Sequence, residues 1–148
     1  MRACTFFGHR DCPETMRQKL SDVVERLIIE ERVSVFYIGT HGNFDKMAYS
    51  VLSQLAQRYI IDVYVVLAHL RRATGSRVFD MRKTVYPEGL ETVPRRFAIV
   101  KRNQYMIEKS DFVICYVNDN VTNAFKFVSR AKRKGLRIFN IGNYIFDE

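Results

Sequence analysis

Five short apolar runs limit what this chain can fold into. Ala3–Phe7, Val33–Ile38, Asp62–Leu67, Phe112–Val117 and Leu136–Ile141 are nearly continuous in Val, Ile, Phe and Tyr. A strand with one wet face alternates apolar and polar residues, whereas a strand covered on both faces does not. The runs therefore read as strands of a sheet sandwiched between helices. The intervening segments agree. Met16, Leu20, Val23, Val24, Leu27 and Ile28 recur at helical spacing, with Pro13 suited to the first turn and Asp11 or Cys12 near the cap. Met47, Ala48, Val51, Leu52 and Leu55 mark a second helix opened by Asp45. Phe97, Val100, Met106 and Ile107 mark a third, entered through Pro94. Ala124, Phe125, Val128 and Ala131 mark a fourth, stopped at Gly135.

The pattern predicts the α/β class: one Rossmann-like, three-layer domain over residues 1–148. Its sheet is mainly parallel, with about five strands, helices on both faces and right-handed crossovers. One stretch breaks the rhythm. Residues 69–95 carry little periodicity and are punctuated by Gly75, Pro87, Gly89 and Pro94, which predicts a long irregular loop. A short strand around Thr84–Tyr86 fits inside it.

Composition narrows the class of protein. With 47% hydrophobic residues in 148, the chain can fill one core without staples. No apolar run is long enough to span a bilayer, and the first one is too short for a signal peptide, so a cytoplasmic location is expected. Cys4, Cys12 and Cys115 form an odd set without paired spacing, as expected in a reducing compartment. Lys and Arg number 24 against 16 Asp and Glu, a formal charge of +8. That balance concentrates phosphate-bearing partners near the protein.

In open parallel sheets, ligands bind beyond the carboxyl ends of the strands, where helix N-termini offer free backbone N–H groups. Four segments qualify. Gly8-His9-Arg10 follows the first strand, and Arg10 suits a two-pronged phosphate contact. Gly39-Thr40-His41-Gly42-Asn43-Phe44-Asp45 follows the second and suits a turn around an anion or a ribose. Lys101-Arg102-Asn103 with Met106 forms the third, together with Ser110-Asp111; a solvated helix face is the alternative role of Arg102 and Asn103. Asn118-Asp119-Asn120-Val121-Thr122-Asn123 forms the fourth, where Asp119, Asn120 and Thr122 can also cap the next helix.

His9, His41 and His69 each follow a predicted strand, but their spacing is not that of a metal site, so neither metal nor cofactor is expected. Arg71, Arg72, Arg77, Arg82, Lys83, Arg95 and Arg96, with Phe79 and Tyr86 among them, give the long loop a composition suited to single-stranded nucleic acid. The Lys126 to Arg137 cluster sits where a helix C-terminus favours positive charge.

Taken in order, Phe6-Phe7-Gly8-His9-Arg10, Phe36-Tyr37-Ile38-Gly39-Thr40-His41-Gly42-Asn43-Phe44-Asp45, Arg102-Asn103-Gln104-Tyr105-Met106 and Ser110-Asp111 resemble the SLOG superfamily. That group includes DNA-processing protein A (Smf) and the LOG, or lonely guy, phosphoribohydrolases. Within it the chain looks like the short bacterial YpsA-like branch. The resemblance implies a Rossmann-like sheet with a nucleotide-type pocket. In the LOG enzymes that pocket cleaves the N-glycosidic bond of a nucleoside monophosphate, using an Arg ahead of a Met-containing turn and a Pro-Gly-Gly-x-Gly-Thr-x-x-Glu loop. Arg102 and Met106 match the first part. Tyr116 to Phe125 keeps Thr122 but has neither the glycines nor the Glu.

The leading expectation is a nucleotide-binding module, such as a sensor, in which Gly8, His9, Arg10, Gly39, Thr40, His41, Gly42, Asn43, Arg102, Asn103, Asn120 and Thr122 line the pocket. Phosphoribohydrolase chemistry is the first alternative, with Asp45 or Asp119 as acid/base and Arg102 holding phosphate. Single-stranded nucleic-acid binding is the second. No membrane partner is expected, and exposed Tyr and Phe leave a homodimer open.

Overall fold

The computed structural model describes residues 1–69 and 83–146. Six strands form one sheet: β1 (Arg2–Gly8), β2 (Val33–Ile38), β3 (Asp62–Val66), β4 (Thr84–Val85), β5 (Phe112–Tyr116) and β6 (Arg137–Asn140). Every pairing is parallel, and the order across the sheet is β4-β3-β2-β1-β5-β6. Four α-helices complete the described residues: α1 (Arg17–Glu30), α2 (Gly42–Leu55), α3 (Arg95–Glu108) and α4 (Asn123–Arg133). None is long and apolar enough to cross a membrane.

The continuous apolar strands have a direct cause. Side chains alternate between faces along a strand. Phe112 and Ile114 of β5 join the core under α1 and α2, while Val113 and Cys115 join the core under α3 and α4. Phe6 and Phe7 divide in the same way. Helices supply the matching stripes: Leu20, Val24 and Leu27 from α1, and Phe44, Met47, Val51 and Leu52 from α2, cover one face. Met106 and Ile107 of α3, with Val128 and Ala131 of α4, cover the other. All three cysteines are buried free thiols. Burial holds each thiol above its ordinary pKa, to about 11 for Cys12.

Several expectations are corrected. The sheet has six strands, not five. The sixth is β4, the short strand expected around Thr84–Tyr86; it spans two residues and joins the sheet by edge pairing with β3. Helix α1 starts at Arg17 because Pro13 sits in extended backbone and caps a separate 3-10 turn, Glu14–Met16. Of the expected 69–95 loop, residues 70–82 lie outside the described residues, and with them Arg71, Arg72, Phe79, Arg77 and Arg82. The remainder is structured: β4, a 3-10 turn at Leu90–Thr92, and the start of α3 at Arg95.

Beyond β6, one amide ties the tail to β5. Asn140 Oδ1 accepts from Val117 N (3.0 Å) and Gly142 N (2.9 Å), and its Nδ2 donates to the carbonyls of Val117 (2.9 Å) and Tyr144 (2.7 Å). Tyr144 and Phe146 then pack on Phe125 of α4, with ring centroids 5.1 and 5.7 Å away. The loop leading from β5 to α4 is thereby held from behind.

Two helices end alike with different residues. Gly135 follows the cap of α4 at φ 94°, and Arg32 follows the cap of α1 at φ 56°. Left-handed backbone costs an L-residue about 1 kcal/mol or more, which glycine escapes. Arg32→Gly should therefore raise the unfolding free energy by about 0.5–1 kcal/mol, net of glycine's greater chain entropy. Gly135→Ala should lower it by a similar amount, both read from urea unfolding curves.

Candidate functional site

Strand order reverses at β1, which pairs with β2 on one side and β5 on the other. The loops leaving β1 and β5 run to opposite faces, so a crevice opens between them at the carboxyl edge. A hollow of about 770 Å³ lies there. Gly8, His9, Arg10 and Asp11 line it from β1, and His41 and Asp45 from the start of α2. From α3 come Ile99, Arg102, Asn103 and Met106, at the spacing that stacks side chains on one helical face. Tyr116, Asn118, Asp119, Thr122, Asn123, Ala124 and Phe127 close the β5–α4 side.

Arg102 dominates the α2–α3 wall. It is only 3% exposed, and a charge so placed must be compensated. Its Nε donates to Asn103 Oδ1 (2.7 Å), Nη1 to the Val66 carbonyl (3.2 Å) and Nη2 to His41 Nδ1 (3.2 Å). A guanidinium has five N–H donors, so about two remain for a ligand. Because arginine can only donate, His41 Nδ1 is an acceptor and that ring is neutral, with its proton on Nε2.

Gly39 creates the space for this arrangement. A Cβ there would lie 2.8 Å from Arg102 Nη1 and 3.0 Å from Asp45 Oδ2. Asp45 itself reaches back from the first turn of α2, where Oδ2 accepts the His41 backbone N–H at 2.9 Å. Burial pushes its carboxyl up to about 6, although the His41 hydrogen bond and the positive charge of Arg102 pull the other way. Burial also lowers the pKa of Arg102, with Asp45 opposing that shift.

The opposite wall is pinned by His9. Its backbone N–H donates to the Tyr116 carbonyl (3.2 Å), and its Nε2 accepts the Asn118 N–H (2.9 Å). His9 is therefore neutral as well, with its proton on Nδ1. Asn118 Oδ1 accepts in turn from Asn143 N at 2.9 Å, linking this wall to the tail. Thr122 Oγ1 caps α4 by accepting from Phe125 N (3.3 Å), and Asp119 Oδ1 accepts from Val121 N (3.1 Å). The N-terminal end of α4 thus faces the hollow.

Of the residues expected from sequence, Gly8, His9, Arg10, His41, Arg102, Asn103 and Thr122 line this one hollow, as do Asp45 and Asp119. Gly39 lies behind it, under the guanidinium. Gly42, at φ 87°, holds the second loop against the first: a Cβ would come 2.9 Å from Arg10 Cα, and Asn43 N donates to the Arg10 carbonyl at 2.8 Å. Asn43 instead borders a separate recess with Arg17 and Lys46. Thr40, Asn120 and His69 are not among the lining residues. Arg102 and Asn103 are buried, not a solvated helix face. Ser110 and Asp111 precede β5 at the other edge of the sheet, where Asp111 Oδ2 accepts from Ala3 N (3.0 Å). Asp11, Ile99, Tyr116 and Phe127 line the hollow beyond the residues expected there; helical spacing from Arg102 to Ile99 and from Asn123 to Phe127 is the available signal for Ile99 and Phe127. Among the described residues, no group of three or more His, Cys, Asp or Glu is arranged to hold a metal ion.

No protein-family model matches this chain, and no curated protein does. Solved structures do match. The X-ray structure of DNA processing protein A from Streptococcus pneumoniae superposes with a TM-score of 0.72, covering 99% of this chain and 52% of that one at 18% identity. This chain has the fold of about half of DNA processing protein A. A second such protein, from Helicobacter pylori and described for its single-stranded DNA binding mode, gives a TM-score of 0.60 at 13% identity. That match covers 94% of this chain and 64% of the other. The chain thus spans about half the length of the first DNA processing protein A and less than two thirds of the second. The likeness is one of fold.

The Asp45 carboxyl makes stability depend on pH. Its folded pKa of about 6 exceeds the ordinary 3.8, so the folded state binds the proton more tightly than the unfolded chain does. That contribution is complete below about pH 4 and is lost as pH rises through 6. The stability of the natural protein relative to Asp45→Asn should therefore fall by on the order of 2–3 kcal/mol between pH 4 and 7, measured by parallel urea titrations.

Proposed function

We propose that the switch-point hollow binds a phosphorylated, nucleotide-like ligand, and that the chain acts as a binding module. The observation carrying this reading is a buried arginine, Arg102, that opens onto a crevice at the carboxyl edge with donors to spare. The hollow's volume falls within the roughly 300–1,000 Å³ usual for small-ligand sites. Its chemistry is divided. Arg10, Arg102 and the N-terminal end of α4 favour an anion, while Ile99, Met106, Tyr116 and Phe127 offer apolar surface to a base.

Calorimetric titration with nucleoside mono-, di- and triphosphates, ADP-ribose and cyclic dinucleotides tests the proposal. At least one should bind saturably, and Arg102→Ala should weaken it by about 2 kcal/mol or more, near thirtyfold, as expected for a charge-assisted contact. Absence of saturable binding by the whole set would remove the reading.

A second reading, single-stranded nucleic acid, is favoured by the formal charge of +8 and by the DNA-binding mode described for the Helicobacter pylori protein. Binding dominated by phosphate contacts weakens steeply with salt. If this reading holds, anisotropy with a labelled oligonucleotide should show affinity falling at least tenfold from 50 to 200 mM salt, on the order set by several phosphate contacts. Affinity for mononucleotides with none for oligonucleotides would exclude it.

A further inference from the structure

We infer that binding of an anion at Arg102 is coupled to uptake of a proton by Asp45, so that the hollow holds its ligand more tightly as pH falls. The inference rests on the nucleotide-binding reading and adds a regulatory property to the same site.

The geometry carries it. Asp45 and Arg102 both line the hollow, and both crowd the point where Gly39 lacks a Cβ, at 3.0 and 2.8 Å. An anion that takes the remaining guanidinium N–H groups enters the hollow that the Asp45 carboxylate also lines. Two negative charges in one partly dry site cannot both persist without cost, and the carboxylate has a simple escape. It takes a proton from solvent onto a carboxylate oxygen and becomes a neutral acid. The His41 backbone N–H can still donate to it, and the new O–H can point towards the ligand.

Other titratable groups face the same space. From the β1 loop come His9, Arg10 and Asp11; from α2, His41; from α3, Arg102; and from the β5–α4 loop, Asp119. The two histidines are poor substitutes for Asp45. His9 Nε2 already accepts from Asn118, and His41 Nδ1 from Arg102, so protonating either of those atoms breaks a bond in the wall. Asp119 is exposed and engaged with the Val121 N–H. Asp45 is the carboxylate that shares the space over Gly39 with the guanidinium. Its raised pKa, about 6 before any ligand arrives, brings the protonated form within reach near neutrality.

The test uses two probes whose own charge is constant across the range: sulfate, and a 3′,5′-cyclic nucleotide with its phosphodiester monoanion. The ¹³C shift of the Asp45 carboxyl is followed from pH 4 to 8 with and without each probe, alongside calorimetric affinities. The midpoint should move upward on binding, and affinity should fall by up to about tenfold per pH unit above the free midpoint. In Asp45→Asn that pH dependence should vanish. Saturable binding with an unmoved midpoint would overturn the coupling alone, as would a pH dependence kept in Asp45→Asn. Failure of both probes to bind would overturn the coupling, while the nucleotide reading is decided separately by the titration with nucleoside phosphates, ADP-ribose and cyclic dinucleotides. Should Asp45→Asn not fold, the midpoint in the natural protein decides.

Discussion

A guanidinium removed from water must be met on several sides, and much of this fold is arranged to meet Arg102. The groups that receive it come from separate parts of the chain: Asn103 beside it on α3, the Val66 carbonyl at the end of β3, and His41 at the start of α2. One side chain thus binds the carboxyl ends of adjacent strands to the helix that follows them. The arrangement is possible only because residue 39 has no side chain. It also decides what is left over. Arg102 lines the hollow, so donors not used internally are left for a ligand's oxygen atoms there.

The facing wall is built on different physics. There the links are neutral amides and imidazole: Asn140 to Val117, Gly142 and Tyr144, then Asn143 to Asn118, and Asn118 to His9. This chain of hydrogen bonds runs from the tail to the loop after β1. It crosses the point where strand order reverses, so the crevice is held open by its own rim. A charged, buried anchor on one side and a neutral lattice on the other give the hollow a defined shape.

The order of strands and helices was legible because burial on both faces writes a continuous apolar run, as at Phe112–Tyr116. Strand order was not legible, since pairing of β1 with β5 is a tertiary fact with no local signature. That gap hides the places of Tyr116 and Phe127 in the wall of the hollow. The glycines show the opposite difficulty. Gly8 and Gly39 stood out as phosphate-loop residues, yet each is required by a neighbouring side chain. A Cβ at Gly8 would meet Phe44 Cγ at 2.4 Å, and one at Gly39 would meet Arg102. A glycine after a strand announces close approach without saying whether ligand or protein approaches. Arg102 was ambiguous for a related reason: a charged residue on a helix is usually solvated, and only its partners from β3 and α2 explain its burial.

Backbone and arginine side-chain ¹H–¹⁵N chemical shifts, recorded while a nucleoside monophosphate is titrated into the full chain, address the central claim most directly. The largest changes should fall at Gly8 to Asp11, at Asn118 to Ala124, and on the Arg102 side chain, all with a common binding constant. Changes gathered instead on the Lys132 to Arg137 surface, or scattered without saturation, would show that the crevice between β1 and β5 is not where this protein meets a phosphorylated ligand.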